Sequence, residues 1–253
     1  MRSDGRPWQV LLVGAGGIGA PAALALAHAS LSPTVPRFEI VCADDDVVER
    51  SNLHRQILFS EADVGRDKLA ALSAALLEIA PRLAVRGHRG RLLPAVALEL
   101  ARGADVVVDA TDNFASRFLA ADAALLTGRP VVHAASVRWN ATVLASSAVG
   151  RPCYRCLFED IPDGPAPDCA TAGVIGPVCG VAGALAADLT LKILRSDASA
   201  FGHVFTYDGR RDRLRRVSVS PRPSCALCGD ASARSIVEVE ARRYAGPACE
   251  ALA

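Results

Sequence analysis

The chain has 253 residues, enough for one domain with a sizeable buried core, and its 51% hydrophobic content excludes a disordered chain. Its 28 Lys and Arg offset 27 Asp and Glu for a formal charge of +1, so bulk charge selects neither nucleic acid nor a membrane surface as a partner. No export signal opens MRSDGRPWQV, and the long apolar run at 174–191 is broken by Gly, Pro and Asp, so a cytoplasmic chain is expected whose eight cysteines are reduced, metal-bound or reactive.

In chain order, residues 10–13 read as a short strand that runs through GAGGIG into an alanine-rich helix. Gly14, Gly16, Gly17 and Gly19 let the backbone turn and approach a phosphate, and the amides at the helix start favour an anion. Alone, this pattern most commonly marks a nicotinamide or flavin dinucleotide site. Pro33 and Pro36 then mark a loop, and residues 38–43 form a second strand ending at Asp44, where a carboxylate holds ribose hydroxyls. The next segment, DDDVVERSNLHRQILFSEADVGRDK, argues for a triphosphate instead. A dinucleotide enzyme has no evident use for Asn52, Arg55, Gln56 and Lys68 so close to the ribose carboxylate, whereas departing pyrophosphate needs fixed cations. A solvated loop with an ordinary surface lysine is the alternative.

Residues 68–79 read as a helix stopped by Pro81, followed by a strand at 83–87, a helix at 94–102 and a buried strand, DVVVDA, at 105–110. Asp112 lies just past that strand, where open α/β sheets bind ligands; it suits a magnesium ligand, a cap for the helix at 113–127, or both. Strands at 130–136 and 141–147 follow, the second turning antiparallel at the sheet edge. Cys153 with Cys156 and Cys225 with Cys228 form two C-x-x-C pairs, the ligand set of a structural zinc site; a redox C-x-x-C is the rival, without a thioredoxin-like setting. Cys169 falls where a Pro, Gly and Asp rich loop becomes a helix, which makes it the best reactive thiol, against the alternative of a small buried residue; Cys42, Cys179 and Cys249 are read as buried. Strands at 203–208 and 214–219 close the sheet, and the last two dozen residues look like a strand-like appendage. The fold class expected is α/β, a Rossmann-like mostly parallel sheet with helices on both faces, antiparallel edge strands and a four-cysteine zinc site.

Taken in order, GAGGIG, DDDVVERSNLHRQ, GRDK, TDNFASR, the two C-x-x-C pairs and CATAGVIGP resemble the ThiF/MoeB/HesA superfamily, the bacterial relatives of ubiquitin-activating enzymes, over residues 9–229. The resemblance implies an adenylyltransferase that binds ATP and Mg²⁺ and activates the C-terminal glycine of a small ubiquitin-like sulfur carrier for molybdopterin or thiamine biosynthesis. It implies that Asp44 holds ribose, Asn52 and Arg55 contact phosphate, Lys68 binds phosphate and Asp112 holds magnesium, with Gln56, Asn113 and Arg117 in the same motifs. It further implies Zn²⁺ on Cys153, Cys156, Cys225 and Cys228, and places Cys169 at the crossover-loop cysteine that forms a carrier adduct in thiamine-type members. One adenylation domain over 1–253 is expected, with a nucleotide-binding part at 1–150, a zinc, crossover-loop and carrier-binding part at 151–230, and an appendage at 231–253. A homodimer and a separate sulfur donor follow from the same resemblance, although the family's helix ahead of the first strand, whose arginine reaches the partner's ATP site, has no counterpart before residue 10. Adenylation of another carboxylate (a peptide terminus or modified tRNA base) and a carrier-binding module without turnover are the alternatives.

Overall fold

Short apolar runs bounded by Gly, Asp or Pro become strands and alanine-rich runs become helices, and the computed structural model, which describes residues 5–162 and 173–244, alternates the two through its first half. In order these are β1 (Trp8–Val13), α1 (Gly19–Ser30), β2 (Phe38–Asp44), α2 (Lys68–Ile79), β3 (Val85–Arg89), α3 (Pro94–Gly103), β4 (Val106–Asp109), α4 (Phe114–Leu126) and β5 (Val131–Val137). The second half supplies β6 (Asn140–Ser146), α5 (Tyr154–Phe158), α6 (Gly176–Leu194), β7 (His203–Asp208) and β8 (Arg213–Ser218). One eight-stranded sheet has the order β3-β2-β1-β4-β5-β6-β7-β8. Its pairs are parallel from β3 to β5 and antiparallel from β5 to β8. The architecture is therefore Rossmann-like α/β, and the strand order reverses between β1 and β4, which opens a crevice at their carboxyl ends.

The central strands are covered on both faces, which is why β4 reads as an unbroken VVVD with all four residues buried. α1, α2 and α6 bury one face, through Leu26, Leu72 and Ala186 among others, while α3, α4 and α5 bury the other through Ala97, Phe118 and Tyr154. α6 has 19 residues and is apolar enough to cross a membrane by length and composition, but it lies against α1 and the sheet as a core helix. The contact with α1 depends on Gly183, where a Cβ would come within 2.8 Å of the Ala22 amide nitrogen and the Ile18 carbonyl oxygen.

Three features differ from the sequence expectation. The third strand begins at Val85 rather than 83, because the Leu83 amide closes a turn onto the Ala80 carbonyl as the chain leaves α2. The helix after β4 is capped by Asn113, whose side chain accepts from the Ser116 amide at 2.9 Å, and not by Asp112. The described part of the C-terminal segment holds no strand: its apolar residues anchor singly, Ile236 beneath the cysteine cluster and Tyr244, in a 3-10 turn at Ala241–Tyr244, against α4.

The most demanding contact in the interior is an ion pair. Arg155 is 1% exposed and donates through Nε and Nη2 to the two oxygens of Asp122 at 2.8 and 2.9 Å, while its Nη1 donates to the Glu159 carbonyl and to Asp160. The Tyr244 hydroxyl donates to the same Asp122 at 2.7 Å, and the Arg155 guanidinium lies 4.6 Å from the Phe118 ring centroid. Removing one partner strands a charge away from water. Asp122→Ala is therefore expected to cost about 3–5 kcal/mol in urea unfolding, and an unchanged midpoint would show that the pair does not hold this part of the fold.

Candidate functional site

The site grows from the turn after β1. Gly14 adopts a φ of +93°, and a Cβ on Gly19 would overlap the Gly14 carbonyl oxygen, so the loop closes only without side chains at these points. α1 has no side-chain cap and no acidic residue in its first turn; its Ala20 and Ala22 amides are bonded to the Gly16 and Ile18 carbonyls and Pro21 has none, so the amides that meet an anion here are those of the loop residues Gly16 and Gly17. Beside them, at the carboxyl ends of β1, β2 and β4, lies a cavity of about 330 Å³. Gly14, Gly16, Gly17, Asp44, Asn52, Arg55, Gln56, Lys68, Asp112 and Asn113 all line it. Residues from four separate sequence motifs thus meet in one crevice.

Each has a defined electrostatic setting. Asp44 is held by two amides, Ala15 N–H donating to Oδ2 at 2.7 Å and Asp46 N–H to Oδ1 at 2.8 Å. Lys68 is not a surface lysine: it is 4% exposed and its Nζ donates to Asp46 Oδ2 at 2.7 Å. Arg55 has no carboxylate partner among the described residues, and its nearest polar contact is His54 Nε2 at 3.5 Å. Gln56 is 2% exposed with its Oε1 unpartnered among the described residues. Asp112 is exposed and, among the described residues, accepts only a long contact, 3.4 Å, from Asn113 Nδ2, which leaves its carboxylate open to a cation.

Other members were not singled out from the sequence. Arg91, after β3, lines the cavity and donates from Nε to both Asp45 oxygens at 3.0 and 3.1 Å, and that carboxylate raises its pKa. The run of three aspartates at the tip of β2 was the available signal, since such a run needs counter-ions. Cys179 is buried as expected, yet it too borders the cavity. Gly19 shapes the loop without lining the cavity, and Arg117, 7% exposed, is turned away to donate to the Thr111 carbonyl. Cys169 lies outside the described residues.

Arg117 instead lines a second cavity, about 250 Å³, that shares Asp112 with the first. On its floor His133 Nδ1 lies 2.8 Å from Asp109 Oδ2, both side chains being fully buried. Burial alone would push the Asp109 carboxyl up, but the hydrogen bond and charge of His133, with Arg117 and Thr111, hold it below the usual carboxylate range.

The two C-x-x-C pairs meet in a buried cluster of their own. Sγ of Cys153 is 4.0 Å from Cys156 and 3.6 Å from Cys225, and Cys156 is 3.5 Å from Cys228, all four sulfurs falling within 4.8 Å of one another. Tetrahedral thiolates about 2.3 Å from zinc lie roughly 3.8 Å apart, so the donor set fits that ion. The Cys228 thiol is pushed down to about 5, chiefly by the hydrogen bond from Cys153, whose own proton is correspondingly harder to remove. The Arg222 amide donates to Cys156 Sγ at 3.4 Å, and Leu227 and Ile236 cover the cluster. The purified chain is expected to carry zinc by elemental analysis, and Cys225→Ser to lose it and to melt at a lower temperature; no zinc in the chain, or undiminished zinc in the variant, would refute the assignment.

Known proteins resemble the chain over most of its length. A model of the ThiF family matches residues 5–227. The SAMP-activating enzyme E1 of Haloferax volcanii is 38% identical over 236 residues, covering 92% of this chain and 84% of that protein. The sulfur carrier protein adenylyltransferase of Thermus thermophilus is 39% identical over 241 residues, covering 92% and 86%. Against the adenylyltransferase and sulfurtransferase MOCS3 of Anopheles gambiae, 39% identical over 228 residues, 88% of the chain spans 50% of the relative's length. Among solved structures, E. coli MccB with MccA-N7isoASN superposes with a TM-score of 0.75 at 23% identity, covering 88% of this chain and 67% of that one, a likeness of fold. Matched over most of its length by the family and by relatives named for adenylyl transfer, the chain belongs to the ThiF family and is an adenylyltransferase.

Proposed function

We propose that the protein uses ATP to adenylate the C-terminal carboxylate of a small ubiquitin-like sulfur carrier ending in Gly-Gly, with release of pyrophosphate. The observation that carries this reading is the convergence of the loop glycines, Asp44, Arg55, Lys68 and Asp112 on one 330 Å³ cavity at the point where the strand order reverses. The names of the Haloferax volcanii and Thermus thermophilus relatives support the carrier as substrate.

In this reading Asp44, already fixed by two amides, has lone pairs left for ribose hydroxyls. The amides of the loop residues Gly16 and Gly17 receive phosphate oxygens, and Arg55 and Lys68 offset charge on the phosphates that depart. Asp112 would hold Mg²⁺, which supplies charge neutralisation at the reacting phosphate. The carrier carboxylate is already ionised near neutral pH, so no general base is needed. Its oxygen attacks the α-phosphorus, the bond from that phosphorus to the bridging oxygen breaks, and pyrophosphate leaves with the electron pair. Positioning and fixed charge carry the rate. Zinc on the four cysteines would take no part in this step; Cys153, Cys156, Cys225 and Cys228 would hold it, and through it the segment around Cys153 would be tied to that around Cys225. A homodimer, a separate sulfur donor and a later covalent adduct at Cys169 belong to the same reading.

Intact-mass measurement of carriers ending in Gly-Gly, incubated with the protein and MgATP, is expected to show a shift by the mass of AMP. No shift with any carrier, from a protein that still binds ATP, would overturn the reaction in favour of a binding module. Because Asp112 is exposed and makes no ion pair among the described residues, Asp112→Ala is expected to lower pyrophosphate release by roughly 10²–10³-fold while zinc content and unfolding midpoint stay unchanged. Full activity in that variant would sink the assignment. Mass analysis under non-reducing conditions checks Cys169: Cys169→Ser is expected to retain the AMP shift and lose any adduct between the two proteins.

A further inference from the structure

Cys179 stands in the first turn of α6 and has no part in the proposed nucleotide chemistry, yet it borders the first cavity. Its surroundings are set by the glycine turn. A Cβ on Gly17 would lie 3.4 Å from Cys179 Sγ and 3.0 Å from Arg55 Cδ, so the turn, the thiol and the arginine side chain meet at one point. The acidic residues at the tip of β2 are engaged elsewhere, Asp44 by two amides, Asp45 by Arg91 and Asp46 by Lys68. Arg55 has no carboxylate partner among the described residues, and positive charge beside a thiol favours the thiolate that attacks electrophiles. A second observation points to an occupant at the same place. Gln56, 2% exposed, borders the cavity with its Oε1 unpartnered among the described residues, and its terminal amide offers an acceptor at one end and a donor at the other.

Cys179 is 2% exposed, so a reagent reaches its sulfur through the cavity, and bound nucleotide closes that route. Resting on the nucleotide site proposed above, we infer that Cys179 is a modification site for small disulfides bearing an anionic group, and that its adduct and ATP exclude one another. In the step, the Cys179 thiol gives its proton to solvent and the thiolate attacks one sulfur of the disulfide. A new S–S bond to Cys179 forms, the old one breaks, and the second half departs as a thiolate with the electron pair. The anionic group of the retained half comes to rest against Arg55 and the loop amides, where phosphate would otherwise lie. Excess thiol reverses the exchange. Cys42 is the contrast: it is 1% exposed on β2, it borders neither the first nor the second cavity, and burial with Asp44 pushes its thiol up.

The probes are two thiosulfonates of similar size, sulfonatoethyl and aminoethyl methanethiosulfonate, which transfer their thioalkyl half to a thiolate and release methanesulfinate. The full chain is treated with each, digested and mapped by mass, and every rate is divided by that of the same reagent with free cysteine. On that scale the anionic reagent is expected to label Cys179 at least about tenfold faster than the cationic one, and at least about tenfold faster than it labels Cys42. Saturating MgATP is expected to suppress labelling of Cys179, and the labelled chain to bind ATP at least about tenfold more weakly than the untreated chain. In Cys179→Ala, treatment is expected to leave ATP affinity where it stood before. The inference falls if Cys179 stays unlabelled in the folded protein, if Cys42 reacts as fast, if the cationic reagent does as well, or if treated Cys179→Ala loses ATP affinity equally. Charge-selective labelling of Cys179 in a protein that does not bind MgATP would sustain the modification site and defeat the nucleotide reading; ATP bound with no effect on labelling would defeat the exclusion and leave that reading standing.

Discussion

A guanidinium taken out of water governs how the second half of this protein sits on the first. Arg155 lies between the two cysteines of the first C-x-x-C pair, and its donors are committed to Asp122 on α4 and to Glu159 and Asp160 just beyond α5. In a low dielectric such a charge tolerates few arrangements, because each donor left without an acceptor costs more than the bond gains in water. The pair consequently sets the position of α5 against α4, and with it Tyr154, which stacks 4.5 Å from the His133 ring and walls the second cavity. One ion pair thereby links the cysteine cluster to the groups around Asp112.

The two cavities share a logic imposed by the sheet. Parallel strands send their carboxyl ends to one side, so Gly14 after β1, Asp44 at the end of β2 and Asp112 after β4 are neighbours although they lie far apart in the chain. The antiparallel return of β6 on β5 adds a surface in which alternate residues, 133, 135 and 137 on one strand with 142 and 144 on the other, line a common face beside the crevice. The first cavity is rich in charged groups and loop backbone, whereas the second adds rings and aliphatic side chains to Asp112, Arg117 and His133. Asp112 stands on their shared border, with Asn113 rather than Asp112 occupied in capping α4.

The parts of this arrangement that the sequence discloses are those with local signatures. The glycine loop follows from four glycines within six residues, the strand and helix order from apolar run length and punctuation, and the cysteine cluster from two equal spacings. Pairings created by strand order are a different matter. Lys68 opens a helix with ordinary helix-start chemistry, and nothing nearby shows that β2 will bring Asp46 against it and bury it. Arg91 reaches Asp45 only because β3 lies beside β2, and His133 in VVHAASV reads as one polar residue in a strand until β5 is paired with β4 and Asp109 faces it. The segment from Ser235 to Tyr244 escapes a sequence reading for a similar reason: its apolar residues pack one at a time against different elements, which leaves neither a strand period nor a helical one.

The two outermost strands share an unusual chemistry. β3 reads VRGHR and β8 reads RLRRVS, so each border of the sheet carries a row of arginines next to backbone groups that no strand covers. On β3 these cations are already paired, Arg86 with Glu39 and Arg89 with Asp67, so the exposed positive row is that of β8. Two copies meeting along β8 would have to bring its arginines together, a repulsion that added salt would screen. The β8 ladder therefore resists the runaway strand addition to which uncovered sheet edges are prone, and a chain laid along it has to bring acidic side chains with it, in a molecule whose net charge of +1 gives no hint of such a border.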